Sequence, residues 1–432
     1  MQKIDNIASV TLAKFVREGV DMARCVATLS EKQEFNVEGG EFSLFRTVFD
    51  TKMTLSAYKN HKFGKVQISS FSDEDIDRGI KDCIEVMEAS TPDEAYDMAP
   101  RQGEHKFRDG VDKPDLDKFF KRVTELIDTI KNNYPKICLA GVIASYDSVH
   151  KEYHDTNGTR ITQIAGSYGI SLSFTAVDKE KVTSANYTGF STTDLDTPFI
   201  EQSAVKKELE DTIALLEAKP LDHKFTGTMI LKGYGLAEFV EFLIGNYMDS
   251  DVIKTKTSQW YGKKGEKVAD EKFTVRTVLD DKRIVENAHF TADGFLAENV
   301  DLIKNGVLEN YFIDLYTAKK TGFEPAKTAG TGMVIEPGDI SYDDMIKDIK
   351  EGIIVGMFSG GYPGVSGEFS GVAKNSFYIK DGKIAGPLSE AMINGNLADI
   401  FNNIRSISKE VIADGSMVLP MVAFDGVVVS GK

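Results

Sequence analysis

Ser359-Gly-Gly-Tyr-Pro-Gly-Val-Ser-Gly-Glu-Phe-Ser-Gly-Val-Ala-Lys-Asn-Ser-Phe-Tyr-Ile-Lys-Asp-Gly-Lys-Ile-Ala-Gly-Pro-Leu-Ser-Glu-Ala-Met-Ile-Asn-Gly-Asn-Leu397 is a run of strand-length segments punctuated by glycine. Gly360-Gly361 and Pro363-Gly364 supply turn conformations that residues with a side chain resist. Phe377 to Ile379 reads as a short apolar strand, Asp381-Gly382 as a hairpin dipeptide, and Ile384 to Pro387 as the return strand. The local prediction is an antiparallel meander.

Outward from this run, Thr226 to Lys432 keeps the same texture: a strand at GTMILKG, a helix from Leu236 to Tyr247, then short strands broken by glycine. A largely antiparallel β domain with a few helices is expected over 221–432. Thr257 to Lys272, with the only tryptophan, Trp260, is polar and reads as a surface loop.

Residues 1–220 contain one unit twice. Helix, strand around Cys25, turn, long strand, strand and helix occur over about 1–90, and the same order returns around Cys138 over 114–219. The succession of periods carries this reading, from helical to period two and back. The closing helices repeat apolar residues at helical spacing: Ile76, Ile80, Ile84 and Met87 in one, Leu209, Ile213 and Leu216 in the other. Between the copies, 91–113 holds prolines and charges without apolar periodicity, so an exposed connector is expected. The fold class is therefore α+β: a duplicated helix and antiparallel-sheet unit, then the β-rich domain.

At 432 residues the chain is long enough for two or three domains. Its 51 basic against 67 acidic side chains give a formal charge of -16, a field that repels phosphate backbones, so no nucleic-acid partner is expected. The opening MQKIDNIAS has no apolar signal-like core and no stretch is fit to span a bilayer, which predicts no membrane association and a cytoplasmic protein. Cys25, Cys83 and Cys138 form no CxxC pair and read as reduced, buried small hydrophobes.

Other chemical patterns lose on context. His150-Lys-Glu-Tyr-His154 places two imidazoles and Glu152 on one face, but Asn157-Gly158 marks a turn just beyond and a solvent-facing hairpin is favoured over a metal site. GVVVSGK at 426–432 lacks the Ser/Thr and helix of a P-loop, and no Gly-x-Ser-x-Gly elbow occurs.

The opening run, with FTVRTVLDD (Phe273 to Asp281), FTADGFLAENVDLIKNGVLENYFIDLYTAKKTG (Phe290 to Gly322), GMVIEPGDIS and SEAMINGNLADIFNNI in that order, resembles the C-terminal part of the TldD/PmbA family, the so-called modulators of DNA gyrase. The resemblance implies a relation to zinc peptidases of the TldD type, in which the helix resembles His-Glu-x-x-x-His and a cysteine near the C-terminus completes the ligands. Here that register holds Ala237-Glu238-Phe239-Val240-Glu241-Phe242, and no cysteine follows Cys138. Only Glu238 remains, and a carboxylate alone does not activate water for peptide hydrolysis as a metal ion does.

The chain thus looks like a PmbA (TldE)-type member: no catalytic residue, no metal and no cofactor are expected. The implied partner is a TldD-like zinc-bearing chain or a second copy, acting on unfolded or small peptides. Tyr234, Glu241, Ser359, Gly360, Gly361 and Phe369 are expected in the wall of a peptide chamber. The competing readings are a stand-alone homodimeric peptide-binding scaffold, an active metallopeptidase with other ligands such as His150 and His154, and a DNA-topology factor.

Overall fold

A computed structural model describes residue 4 and residues 6–431. Among the described residues the strands fall into two sheets. The first has eight strands in the order β3-β2-β1-β5-β6-β4, with β7 and β8 also paired to β6. They are β1 (Met22–Glu38), β2 (Glu41–Lys59), β3 (Lys62–Ile68), β4 (Glu104–Gly110), β5 (Ile137–Asp155), β6 (Arg160–Asp178), β7 (Lys181–Val182) and β8 (Asn186–Thr192). Helices α1 (Ile7–Arg17), α2 (Asp73–Ala89), α3 (Leu116–Asn133) and α4 (Val205–Ala214) interrupt them.

The two copies share this sheet, because β1 and β5 pair antiparallel along their length, with Cys25 opposite His154 and Glu38 opposite Gly141. Each copy builds its own core. Ile76, Ile80, Cys83 and Met87 of α2 pack on Cys25, Ala27, Met53 and Leu55. Phe119, Val123, Leu126, Ile127 and Ile130 of α3 pack on Tyr146, Tyr168, Leu172 and Phe174. These helices start where the sequence tells them to: Ser72 accepts the Asp75 N–H at 3.1 Å and Asp115 accepts that of Lys118 at 3.0 Å, satisfying donors the first turn leaves free.

The second sheet holds eleven strands: β9 (Lys224–Leu231), β10 (Val275–Thr277), β11 (Val300–Lys304), β12 (Val307–Leu308), β13 (Met333–Ile335), β14 (Glu351–Ser359), β15 (Glu368–Lys380), β16 (Lys383–Leu388), β17 (Ala391–Asn396), β18 (Ile404–Ala413) and β19 (Met417–Ser430). Most pairs are antiparallel, with β9–β14 and β13–β19 parallel. The hairpin expected at Asp381-Gly382 joins β15 to β16, both turn residues having positive φ, 47° and 73°. Helix α5 (Gly233–Tyr247) lies on this sheet, followed by α6 (Ser250–Lys254), α7 (Leu315–Thr321), α8 (Tyr342–Lys347) and α9 (Leu397–Asn402). No helix among the described residues is long and apolar enough to cross a membrane.

Four expectations need correction. The 91–113 segment is no exposed connector: β4 pairs parallel with β6, and Ala99 is buried against Phe295 and Leu315 of the second unit. Trp260 is 3% exposed, its ring 4.8 Å from that of Tyr247, because turn hydrogen bonds from Ser258 and Tyr311 satisfy the polar backbone around it. Cys138, unlike Cys25 and Cys83, is exposed. His150 to His154 lies in the interior strand β5, between β1 and β6, with Glu152 and His154 buried. The Asn157-Gly158 turn is where the sequence puts it; the strand before it is covered by its neighbours.

Candidate functional site

Helix α5 is apolar on one side only. Leu236, Phe239, Val240, Leu243 and Tyr247 are fully buried, and the close approach of Gly235 to the Val355 and Gly356 carbonyls seats the helix on β14. The opposite side carries Tyr234, Ala237, Glu238, Glu241 and Phe242. Tyr234 and Glu241 are exposed; Ala237, Glu238 and Phe242 are half-buried.

That side faces a cleft where the two sheets meet. A cavity of about 560 Å³ there is lined by Tyr234, Ala237 and Glu241 of α5, Asn186 to Gly189 of β8, Glu208 of α4, Met357 of β14, and Ile412, Asp414, Met417 and Leu419 around the β18–β19 turn. A second cavity of about 360 Å³ shares Ser171, Gly189 and Asp414 with it and runs on over the open face of the first sheet past Ser145, Asp147 and Lys32. The helix register singled out in the sequence and the β18–β19 turn near the C-terminus thus converge on one cavity.

Lys232, one residue before α5, fastens the cleft. Its ammonium lies 2.9 Å from Glu208 Oε1 and 2.7 Å from Asp211 Oδ2, both from the other unit, and Asn186 donates to Glu208 Oε2 at 3.1 Å. Burial, the largest single influence on the Lys232 amine, lowers its pKa, but the two carboxylates outweigh it and hold the ammonium above its usual range. Glu238 has no such partner. Burial, helped by the negative charge of Glu241, pushes its carboxyl up to about 7, so near neutrality it is half-protonated.

The glycine run lies beside α5, and Ser359, Gly360 and Gly361 line neither cavity. Ser359 ends β14, and Gly360 and Gly361 are exposed with φ of 76° and 55°. A Cβ on Gly361 would stand 1.6 Å from the Ser370 carbonyl oxygen, so only glycine fits that turn. The Tyr362 ring beyond it lies 5.3 Å from that of Phe242, and Asn246 donates to the Pro363 carbonyl at 3.0 Å, which ties this turn to α5. Phe369 is not a wall residue: it is 2% exposed, its ring 5.2 Å from Phe239, and it supports α5 from below. Asn186, Glu208 and Asp414 were missed in the sequence, since the cleft joins segments more than two hundred residues apart.

The donor set does not fit a zinc ion. At the positions the resemblance marks as ligands, Ala237 and Phe242 offer no donor atom, and Asp414 Oδ1 is taken by the Ser416 N–H, the Ser416 hydroxyl and the Met417 N–H. Among the described residues no three His, Cys, Asp or Glu side chains are grouped to hold a metal ion, His150 and His154 included. Burial, with Arg160, lowers the His154 pKa to about 4 and keeps it neutral.

Residues 226–431 match the model of the PmbA/TldA metallopeptidase C-terminal domain. Among curated proteins, a metalloprotease of Methanothermobacter thermautotrophicus is 30% identical over 186 residues, 40% of each chain. The metalloprotease PmbA of Escherichia coli O157:H7 is 30% identical over 32% of each. These matches thus span two fifths or less of those relatives' length. A zinc metalloprotease TldD homolog of Saccharolobus solfataricus is 24% identical over 68% of each chain. Among solved structures, TldE from Thermococcus kodakarensis superposes with a TM-score of 0.83 at 20% identity, covering 98% of this chain and 100% of that one. A Bacteroides thetaiotaomicron protein named for a proposed modulation of DNA gyrase gives 0.83 at 22% identity with full coverage of both. At these identities the superpositions establish the shared fold.

Proposed function

Because the chain belongs to the PmbA/TldD family, we propose that it is a peptide-binding subunit with no zinc of its own, which works in the cytoplasm beside a zinc-bearing relative and completes that partner's chamber for unfolded or small peptides. One observation carries the reading: the cleft is intact while the helix that borders it has Ala237 and Phe242 where a metal would need imidazoles.

The cleft also suits an extended chain. β8 is paired with β6 on one side only, and on the other the Ser191 N–H donates to the Asp414 carbonyl at 2.7 Å. Antiparallel alternation then turns the Gly189 N–H and C=O to that same outer side, into the cavity. A peptide laid there as an added strand satisfies main-chain groups irrespective of its sequence.

The test is reconstitution. Purified chain is mixed with the zinc-bearing relative from the same cell, and cleavage of an unstructured peptide is followed. A stable mixed complex that cleaves faster than either chain alone is expected. Absence of a complex, with self-association instead, favours the homodimeric scaffold.

A further inference from the structure

Resting on that peptide reading, we infer that the cleft selects peptides carrying a basic side chain or a free amino end beside the strand-pairing segment. The charged residues lining the larger cavity are Glu208, Glu241 and Asp414, and no lysine, arginine or histidine is among its lining residues. Glu208 is already matched by Lys232. Glu241 is exposed in the wall and pairs with no cation among the described residues, and Asp414 is pinned at the edge by the amides of Ser416 and Met417.

Part of the wall is apolar: Met357, Ile412, Met417 and Leu419. The main-chain edge of β8 at Gly189 lines the same cavity, where an extended chain can pair with it. A peptide on that edge places alternate side chains to either side of its own strand. One set meets the thioether and aliphatic wall. The other meets Glu241 and Asp414, where a long aliphatic stem ending in a cation fits and a carboxylate is repelled. In the smaller cavity beyond, Lys32 is neutralised by Asp147 at 3.3 Å and offers no competing attraction for acidic side chains.

Three fluorescein-labelled peptides of equal length test this, one with lysines, one with glutamates and one neutral, titrated into the whole chain with anisotropy as readout. The lysine peptide is expected to bind at least about tenfold more tightly than the glutamate peptide. Glu241→Lys is expected to abolish most of that preference. Glu180→Lys, at an exposed turn away from the cleft, makes the same change in net charge and is expected to leave it, which separates local contact from the field of the whole molecule. Equal affinities for the charged peptides, or a preference that survives Glu241→Lys, overturn the inference while binding of the neutral peptide keeps the peptide reading. Failure of all three to bind overturns both.

Discussion

The two N-terminal segments read as copies, 1–90 and 114–219, meet different fates. In the second copy the long strand β6 is paired by β4 at its start and β8 along its far half, and β8 in turn touches the C-terminal unit at Asp414. In the first copy, β3 covers β2 only from Met53 onward. Glu41 to Asp50 is left exposed, with Phe42, Leu44, Phe45, Val48 and Phe49 each more than 40% accessible. Phe120 of α3 stacks on Phe42 and is itself exposed. The same strand grammar yields a sealed edge where a second domain uses it and an open apolar edge where none does. Such an edge is a place for another polypeptide.

Substitutions break this comparison unequally. Phe174→Ala, at a fully buried position of β6, should cost about 3–5 kcal/mol through the cavity it leaves. Its measure is the midpoint of urea unfolding.

Lys232→Met acts on the attachment between the units. It leaves Glu208 in the interface without a cation, with Asp211 paired to Lys207 alone, and should cost about 3 kcal/mol. Replacing the two acids by Asn and Gln in the Met background should recover most of this, and an unaltered unfolding midpoint for the single variant would show that the units are held by other contacts.

Glu238→Gln, at the border of the cleft that this attachment creates, has a smaller and pH-dependent effect. The folded-state pKa of Glu238 is raised from its ordinary value to about 7, so the native chain binds the extra proton and its stability falls as pH rises from about 4.5 to about 7. The glutamine variant should therefore gain on the parent over that window, by about 1 kcal/mol once solvent screening is allowed for. A gain independent of pH contradicts the assignment.

Phe49→Ala, on the open edge, should change the stability of the isolated chain by less than about 0.5 kcal/mol. If the same substitution lowers association measured by sedimentation, the edge is an interface. The smallest perturbation is a label: the equivalent cysteines differ in exposure, so a maleimide should modify Cys138 in the native chain and leave Cys25 and Cys83 unmodified until it unfolds. Burial pushes the Cys83 thiol up to about 12, which removes the reactive thiolate as well.

Local rules reached far into this structure. Asp381-Gly382 made its hairpin because both residues accept positive φ, and the helix faces of α2, α3 and α5 follow directly from the spacing of their apolar residues. The proposed repeat rests on the order of elements alone, with little identity between the two segments. What escaped was held by partners distant in the chain. Glu104 to Gly110 is a charged, polar stretch whose pairing with β6 draws on backbone bonds and on Phe107 stacked on His289 of the other unit, 4.2 Å away, so no apolar period announced it. Trp260 and Tyr261 stand in a lysine-rich stretch without apolar period, yet Trp260 is buried against Tyr247 and its carbonyl accepts the Tyr311 hydroxyl, partners distant in the chain.

The site divided in the same way. Tyr234, Ala237 and Glu241 share one helix face and line the cavity, whereas Ser359, Gly360 and Gly361, expected in the same wall, do not line it. Asn186, Glu208, Asp414 and the apolar wall belong to the cleft only through the docking of two sheets.

The central proposal is that this chain contributes a peptide cleft and no metal chemistry. The most direct measurement combines elemental analysis of the purified chain with its turnover of an unstructured peptide. The account predicts substoichiometric zinc and no cleavage until the zinc-bearing relative is added; one tightly held transition-metal ion per chain, with hydrolysis by the chain alone, would contradict it.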